Sequence, residues 1–476
     1  MTGLVIDLFA GGGGASTALE AALGRPVDIA INHDATALAV HKANHPRTSH
    51  LESSIWEVRP EEVTRGRPVW VLWASPDCTH FSNAKGDVPR SQKIRSLAWS
   101  VVRWAKATRP ELIFLENVSE FRKWGPLTRE GRPCKERMGN TFNSWVAALK
   151  RLGYQVDWKV LDASEYGAPT KRRRLFVVAR RDGLPVWWPT PTHAPKDKEG
   201  VQPLGTLPVH TAAECIDWTI PCRSIFGRKK PLAHKTMRRI AYGVQRFVLE
   251  CGKPFIVQVN HGGDVWRGQG LDRPLSTVTA QRRSHALVAP TLIQTGYGER
   301  PGQRPRVPGL HKPLGTIVAK GVKHALIAAC LIKHYGDPDR KGGGGVVVGS
   351  DLREPLGTVT ARDHHSLACV ELQTGLHVDE VRRFLKEYAA APLSTQHRGF
   401  VTVDGQKLLI GDIGLRMLEP HELLRAQFGS FAESYSLELA ETKEAKVRLI
   451  GNSVPPEVVK ALIEANLSAE KERAAS

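Results

Sequence analysis

The chain has 476 residues, of which 41% are hydrophobic, and this fits a globular protein of two or three domains at roughly 100–200 residues each. No run approaches the roughly 18 apolar residues of a membrane helix, and the opening MTGLVIDLFAGGGG does not resemble a signal peptide, so we expect neither membrane insertion nor secretion. The net charge of +19 favours a polyanionic partner such as nucleic acid over a merely basic surface.

Five apolar runs in the first 180 residues alternate with helix-compatible segments. Alternation of this kind predicts βαβ units and a mostly parallel sheet with helices on both faces. Ligands of such sheets bind at the carboxyl ends of the strands. The predicted strands are residues 4–9, 27–32, 69–74, 111–116 and 174–180.

A run of glycines follows the first predicted strand, in DLFAGGGG (7–14). Glycines let a backbone approach a ligand closely, and the helix that follows offers its N-terminal N–H groups. Asp34, near the end of the next strand, is placed to hold ribose hydroxyls. Although glycines also form plain tight turns, this pattern predicts a nucleoside-bearing cofactor, and the lack of GKS or GKT disfavours a P-loop.

One of the seven cysteines stands where chemistry is expected. No two of them form a CxxC pair, which indicates reduced thiols of the cytoplasm and predicts neither disulfides nor a metal site. Cys78, in SPDCTHFSNAKG (75–86), follows a predicted strand and has polar neighbours. We interpret it as a nucleophile and the other six as small core residues.

An acid ends the next predicted strand, in LENV (115–118). A buried strand normally stays apolar, so Glu116 is either a structural carboxylate bonded to a turn or a catalytic proton donor.

A linker and a basic segment follow. Residues 185–208 carry six prolines, and between Arg223 and Lys253 nine Lys and Arg face one acid, Glu250. Apolar residues recur there at helical spacing. The helix is either a solvated basic helix or a phosphate-contacting one.

Three similar segments then recur at 273–290, 312–329 and 354–371, each with a Pro-Leu-Ser/Gly-Thr core. Units of about 40 residues with short apolar runs and glycines predict a repeated β module. Such repeats either read a nucleic-acid groove or form a scaffold that spaces or dimerises the protein. A helix is predicted at 377–388.

Six motifs in this order resemble the DNA cytosine-5 methyltransferases. They cover about 1–181 and 410–470, and the unmatched middle is where this family keeps its target-recognition domain. The motifs are DLFAGGGG, Pro-Asp-Cys (76–78), Glu-Asn-Val (116–118), YGAPTKRRRLF (166–176), LRMLEPHELLRAQFG (415–429) and KVRLIGNSVPP (446–456).

The resemblance implies an α/β, Rossmann-like methyltransferase sheet dependent on S-adenosylmethionine, with a second, β-rich target-recognition domain. The implied division is 1–185 for catalysis and cofactor, 186–400 for recognition and 401–476 for a return to the catalytic domain. The implied catalytic residues are Cys78, Glu116, Arg172 and Arg174; the cofactor-binding residues are Phe9, Ala10, Gly11, Gly12, Gly13, Asp34, Ile55, Asn452 and Val454; the DNA-binding residues are Ser82, Arg238, Arg239, Arg282 and Arg283.

The chain departs from the family pattern at several positions, which bear on adenine contacts and loop packing. The departures are Ala35, Ser54, Asp77, Thr79 and Thr170.

The resemblance implies a bacterial or bacteriophage enzyme that methylates carbon 5 of cytosine in duplex DNA through a covalent Cys78 adduct. We expect it to act as a monomer. Two alternatives stay open. One is an RNA cytosine-5 methyltransferase, since one branch of the family uses tRNA. The other is a catalytically silent DNA-binding relative, against which intact Cys78, Glu116 and Arg174 argue.

Overall fold

The structure is a computed structural model that describes most of the first half of the chain, the C-terminal region and separate segments between them. The described residues are 3–77, 96–197, 199–217, 220, 222–232, 234–244, 255–258, 268–270, 285–294, 312–317, 324–333, 377–388, 400–403 and 406–475.

The chain divides into two compact units. The first comprises Met1–Cys215, Pro313–Gly321 and Pro420–Ser476, and the second comprises Ile216–Lys312 and Val322–Glu419. Residues 186–215 and 313–321 therefore group with the first unit, whereas the sequence assigns them to the recognition domain. The functional division at 185 and 400 stays a prediction.

A seven-stranded sheet forms the centre of the first unit, in the order β3-β2-β1-β4-β5-β8-β6. The first five of these run parallel, and β8 is antiparallel to both β5 and β6. The strands, with the short β7 that lies outside this sheet, are β1 (Leu4–Leu8), β2 (Ile29–Asn32), β3 (Ser49–Glu52), β4 (Val69–Ala74), β5 (Leu112–Asn117), β6 (Gln155–Asp162), β7 (Thr170–Lys171) and β8 (Arg173–Arg180).

All five strands predicted from apolar runs are present, within two residues at each end, and the predicted α/β class is confirmed. Strands β3 and β6 were not predicted. Both are edge strands of the sheet, and β6 alternates exposed and half-buried side chains over most of its length. An edge strand contacts fewer neighbours, so its sequence needs no apolar run.

Helices cover both faces of this sheet. In β1, Ile6 packs with Trp104 and Trp145 on one face, whereas Val5 packs with Leu19 and Leu462 on the other, because successive side chains of a strand alternate. The helices of the whole described chain are α1 (Gly14–Leu23), α2 (Ala35–Asn44), α3 (Pro60–Thr64), α4 (Trp99–Thr108), α5 (Asn140–Arg151), α6 (His234–Val244), α7 (Val378–Tyr388), α8 (Pro420–Phe428), α9 (Lys443–Asn452) and α10 (Pro456–Ala475).

The C-terminal helix α10 closes the second of these faces. Val459, Leu462 and Ile463 are fully buried in the same cluster as α1. Two short parallel pairs complete the first unit: β9 (His193–Ala194) with β10 (Leu207–Pro208), and β7 with β15 (Leu314–Gly315).

The second unit contains an antiparallel sheet of seven strands. Two of them, β14 and β16, are ten-residue strands that begin at His285 and His324 and pair with each other, so each begins at the same place in its repeat. The strands are β11 (Arg223–Ser224), β12 (Phe255–Gln258), β13 (Gly268–Gly270), β14 (His285–Gln294), β16 (His324–Lys333), β17 (Phe400–Val403) and β18 (Gln406–Met417).

Candidate active site

The glycine turn leads from β1 into α1 with three residues in the left-handed region. Phe9, Gly11 and Gly13 have φ values of 64°, 55° and 106°, and glycine adopts these values at little cost. A Cβ atom built at Gly11 would meet nothing nearer than the Phe9 carbonyl oxygen at 3.9 Å. This side of the turn is therefore open, among the residues that the structure describes, to a ligand that approaches the backbone.

The other side of the turn packs against the C-terminal segment. A Cβ atom at Gly14 would lie 1.9 Å from Ser453 Oγ and 2.8 Å from the Val454 carbonyl oxygen. The Tyr435 hydroxyl donates a hydrogen bond to the Gly12 carbonyl oxygen. Residues more than 400 positions apart thus meet at the turn, as expected for 446–456.

Asn452 and Val454 lie beside this contact. Asn452 is the last residue of α9 and is exposed, whereas Val454 is buried in the α1–α10 core. Phe9 and Ile55 pack in the cluster on the opposite face of the sheet, and Ala10 is buried.

Asp34 caps α2 and pairs with a cation. Its Oδ1 atom accepts a hydrogen bond from the Ala37 N–H at 3.0 Å, and its Oδ2 atom lies 3.1 Å from Arg448 Nη2. Sequence reasoning missed Arg448, because nothing in the sequence brings an exposed arginine of α9 to the end of β2. A ribose at Asp34 would share the carboxylate with this guanidinium.

The predicted nucleophile Cys78 and the predicted DNA contact Ser82 lie outside the described residues, which end at Asp77 and begin again at Ser96. The start of their loop is fixed, since Asn117 Nδ2 donates to the Pro76 carbonyl oxygen at 3.0 Å. The parallel register of β4 and β5 aligns Ala74 with Leu115. The loop therefore leaves its strand beside the end of β5, where Glu116 lies.

Glu116 and Arg174 form a largely buried ion pair. Arg174 Nε lies 3.1 Å from Glu116 Oε1, with 14% and 10% of the two side chains exposed. The antiparallel pairing of β5 with β8, which aligns Glu116 with Phe176, brings them together. Burial of a carboxylate is costly unless a cation or hydrogen-bond donors pair with it. The structure thus joins two of the predicted catalytic residues.

Arg172 has a different partner. Its side chain is buried, and Nη1 donates to the Ile317 carbonyl oxygen at 2.9 Å. Thr170, where the family pattern has glutamine, is also buried and donates from Oγ1 to the Leu314 carbonyl oxygen at 3.2 Å. The sequence indicated no link between this segment and residues 314–317.

A buried polar network lies beneath the glycine turn, and sequence reasoning missed it. Ser16 Oγ donates to Asp7 Oδ2 at 2.7 Å, His41 Nε2 lies 3.0 Å from Ser16 Oγ, and His41 Nδ1 lies 2.8 Å from His50 Nε2. His45 contacts the His41 ring and the Gly13 carbonyl oxygen.

Burial changes the protonation of this network. It raises the pKa of Asp7 from 3.8 to about 7, and it lowers the pKa of His41 from 6.5 to about 2, helped by the neighbouring imidazoles. With the Ser16 hydrogen directed to Asp7, neutral His41 donates from Nε2 to Ser16 and accepts at Nδ1 from His50.

Of the predicted DNA-binding arginines, Arg282 and Arg283 lie outside the described residues. Arg238 and Arg239 lie in α6, whose backbone is described but whose side chains at these two positions are not.

No cluster of three or more metal-ligating side chains occurs within the described ranges. In the same part of the chain, no helix is long and apolar enough to cross a membrane.

The first unit is an α/β domain with an open glycine turn and a Glu–Arg pair at the carboxyl edge of one sheet. Residues 4–217 match the family model described as C-5 cytosine-specific DNA methylase. This match covers the first sheet and its site, and it confirms the resemblance inferred from the motifs for that part of the chain.

Two curated relatives illustrate the likeness. The Type II methyltransferase M.SacI of Streptomyces achromogenes is 32% identical over 211 residues, which are 40% of this chain and 51% of the relative. M.AgeI of Thalassovita gelatinovora is 32% identical over 204 residues, 41% of this chain and 44% of the relative. The chain thus spans about half the length of these relatives.

The fold is also similar to that of a solved structure. A Spodoptera frugiperda DNMT2 mutant has a TM-score of 0.50 and 15% identity, with 98% of this chain and all of that chain covered. At this identity the likeness shows the fold alone.

Proposed function

We propose that this protein transfers a methyl group from S-adenosylmethionine to carbon 5 of cytosine in a specific duplex DNA sequence. The observation that carries the proposal is the buried Glu116–Arg174 pair beside the start of the Pro-Asp-Cys loop. A cytosine presents N3, its amino group and O2 along one edge, and a neighbouring carboxyl group and guanidinium can bind that edge. The strand end beside this pair leads into the loop that carries the Cys78 thiol.

The residues around the glycine turn fit the cofactor. The left-handed turn is open at Gly11, so backbone N–H groups there and at the start of α1 can receive a carboxylate. The residues that would hold the cofactor are Phe9, Ala10, Gly11, Gly12, Gly13, Asp34, Ile55, Asn452 and Val454. When bound, S-adenosylmethionine would supply the methyl group that becomes attached to carbon 5 and would leave as S-adenosylhomocysteine.

Cysteine addition makes the cytosine ring reactive. Carbon 5 is a poor nucleophile, so the Cys78 thiolate adds to carbon 6, and the new C–S bond shifts an electron pair toward carbon 5. Glu116 holds a proton at N3 and accepts from the exocyclic amine. Arg174 donates to O2 and keeps Glu116 in place.

Once carbon 5 carries the methyl group, the adduct collapses. The proton on carbon 5 passes to water, the C5–C6 double bond reforms, the C–S bond to Cys78 breaks and the N3 proton returns to Glu116, which releases 5-methylcytosine and restores the thiolate. The cytosine must leave the duplex for Cys78 to reach it, at a cost of a few kcal/mol, on the order of one unstacked base.

We assign target recognition to the repeat-containing insert. Its antiparallel sheet carries His285 and His324 at equivalent strand starts. A few side chains in a groove suffice to read bases, whereas phosphate contacts, for which Arg238, Arg239, Arg282 and Arg283 are the candidates, supply salt-sensitive affinity. In the alternative role, the repeats only space or dimerise the enzyme.

Exchange of the two second-unit segments, 216–312 and 322–419, for those of a relative with another target tests this assignment. Target specificity should move with the insert while Cys78 chemistry stays. An unchanged methylated sequence would show that the repeats do not read DNA.

Methyl transfer tests the activity itself. Purified protein is incubated with labelled S-adenosylmethionine and either unmethylated duplex DNA or tRNA, and the nucleosides are analysed. We expect 5-methylcytosine in DNA; label in tRNA alone would indicate the RNA enzyme, and label in neither would indicate a silent DNA-binding relative. Bisulfite sequencing of the product then gives the target.

We infer from the named Type II relatives a role in DNA modification in a bacterial or phage-infected cytoplasm. The enzyme acts as a monomer in this proposal.

A further inference from the structure

A short segment of the predicted recognition region belongs to the first unit. Residues 313–321 group with the catalytic sheet, although the chain before and after them lies in the second unit. The segment contains the second Pro-Leu-Gly-Thr core, at 313–316. The structure thus separates this core from its own repeat.

Main-chain pairing fixes the segment to the strand that precedes Arg172. Strand β15 pairs in parallel with β7, with Leu314 opposite Thr170 and Gly315 opposite Lys171. The Leu314 N–H donates to the Pro169 carbonyl oxygen at 2.8 Å.

Three side chains reinforce the pairing from both strands. Thr170 Oγ1 donates to the Leu314 carbonyl oxygen at 3.2 Å, and Thr316 Oγ1 donates to the Lys171 carbonyl oxygen at 3.2 Å. Arg172 Nη1 donates to the Ile317 carbonyl oxygen at 2.9 Å. The hydroxyl bonds run in both directions, so a slip of one residue between the strands would break them together.

Most of this contact is buried, whereas the Thr316–Lys171 hydrogen bond lies at its exposed edge. Leu314 and Ile317 are 1% and 2% exposed, and the Arg172 guanidinium beside them is almost as buried. A buried donor that loses its acceptor pays the full cost of desolvation. Residues 314–317 therefore constrain where Arg172 and its strand lie.

We propose that residues 313–317 position the strand segment that carries Arg172 and Arg174. Thr316 and Thr170 are then positioning residues for methyl transfer. The inference rests on the proposed function. Strand β7 continues through Arg172 into β8, where Arg174 pairs with Glu116. A shift of β7 therefore changes the pair that holds the cytosine, without a contact between the segment and the base.

The proposal gives the second repeat a role that the other two repeats do not have. Thr277 and Thr358 occupy the position of Thr316 in the other two copies, and both lie outside the described residues. If the three copies are interchangeable recognition modules, the same substitution has the same effect in each.

The test measures single-turnover methyl transfer at saturating DNA and cofactor for Thr316→Val and Thr170→Val. We expect each to slow the transfer about fivefold to tenfold, the effect of one hydrogen bond of about 1 kcal/mol in the transition state. Thr316→Ser, which keeps the hydroxyl, should restore the rate. Cofactor affinity should stay unchanged, because the hydrogen bonds that these substitutions remove lie at β7 and not at the glycine turn.

Thr206→Val is the matched control, since Thr206 Oγ1 also donates to a carbonyl oxygen, that of Pro203, at an exposed turn of the same unit. It should transfer at the wild-type rate. At saturating DNA, Thr277→Val and Thr358→Val should slow the transfer step less than Thr316→Val does, whatever their effect on DNA affinity.

Equal slowing by all three repeat substitutions, or a wild-type rate in both Thr316→Val and Thr170→Val, would overturn the proposal. If Thr316→Val does not fold, Thr170→Val is judged by the same criteria. A wild-type protein that transfers no methyl group would instead refute the proposed function, and the positioning role with it.

Discussion

The Glu116–Arg174 ion pair fixes the orientation of a carboxyl group in a largely buried place. Both side chains are largely buried and 3.1 Å apart. Leaving either charge without its partner in such surroundings is costly, about 3–5 kcal/mol. The carboxyl group is therefore held in one orientation before any base arrives.

Substitution of Glu116 by Gln tests the role of this carboxyl group. The amide keeps the shape and still accepts from Arg174, but it cannot exchange a proton with N3. We expect methyl transfer to fall about 10²- to 10⁴-fold, the usual contribution of a positioned acid, with DNA affinity retained in a gel-shift assay.

Glu111→Gln is the control for this substitution, because Glu111 precedes the opposite end of β5 and is exposed. It should behave as wild type. A Glu116→Gln protein with a near wild-type rate would remove Glu116 from the mechanism.

The buried polar network makes the stability of the folded protein depend on pH. Its members are Asp7, Ser16, His41 and His50. His41, with a pKa near 2 in the folded protein, stays neutral while the unfolded chain protonates it below pH 6.5. The free energy of unfolding therefore decreases as the pH falls below 6.5. Asp7, with its pKa raised to about 7, contributes in the opposite sense: its stabilisation is full below pH 3.8 and is lost as the pH rises through 7.

Substitution of His41 by Gln separates the two effects. The free energy of unfolding of wild type should fall relative to that of His41→Gln by up to about 1.4 kcal/mol per pH unit between pH 6.5 and 4.5. Urea unfolding followed by tryptophan fluorescence measures this difference. His33→Gln, at an exposed position, serves as the control, and a pH-independent difference for His41→Gln would contradict the buried neutral imidazole.

At the residue scale, the sequence predicts which side chains lie at the ends of strands, but it does not predict their distant partners. Glu116 was predictable because an acid interrupts an apolar run. Arg448 and the His41 network were not, because their partners are distant in sequence and their neighbours show no pattern. Arg172 was predictable as a family position, but its partner Ile317 was not.

At the element scale, the glycine turn is the contact most sensitive to size. An alanine in a helix is ordinarily favoured over glycine by about 1 kcal/mol. At Gly14, the first residue of α1, a Cβ atom would instead collide with Ser453 and the Val454 backbone.

Gly14→Ala should therefore destabilise the protein by about 1–3 kcal/mol, the usual cost of overpacking, and weaken S-adenosylmethionine binding. Thermal unfolding and calorimetric titration measure the two effects. Gly24→Ala, at the other end of α1, is the control: its added Cβ meets no atom within 4 Å, so it should cost only the strain of a left-handed alanine, about 1 kcal/mol, and leave cofactor affinity unchanged. A stable Gly14→Ala protein with full affinity would contradict the packing of the C-terminal segment on the turn.

Elements themselves were predicted unevenly. Continuous apolar runs gave β1, β2, β4, β5 and β8, because strands buried on both faces need no alternation. The edge strands β3 and β6 lack that signal. The two-residue strands β7 and β15 depend on a tertiary pairing, which no local pattern encodes.

At the scale of the whole molecule, the chain leaves the first unit and returns to it twice, at 313–321 and at 420. The second return was predicted from the motif order, since KVRLIGNSVPP resembles the family's closing segment. The first was not, because a Pro-Leu-Gly-Thr core that occurs three times gives no reason to single out one copy.

The covalent adduct of Cys78 is the central claim for the whole enzyme, and trapping tests it most directly. Duplex DNA that carries the target with 5-fluorocytosine cannot release the substituent on carbon 5, so the enzyme should remain attached to it when S-adenosylmethionine is present. We expect a complex stable to denaturing electrophoresis for wild type and for Cys134→Ser, and none for Cys78→Ser. A trapped Cys78→Ser protein, or methylation by it at a rate near wild type, would contradict the mechanism.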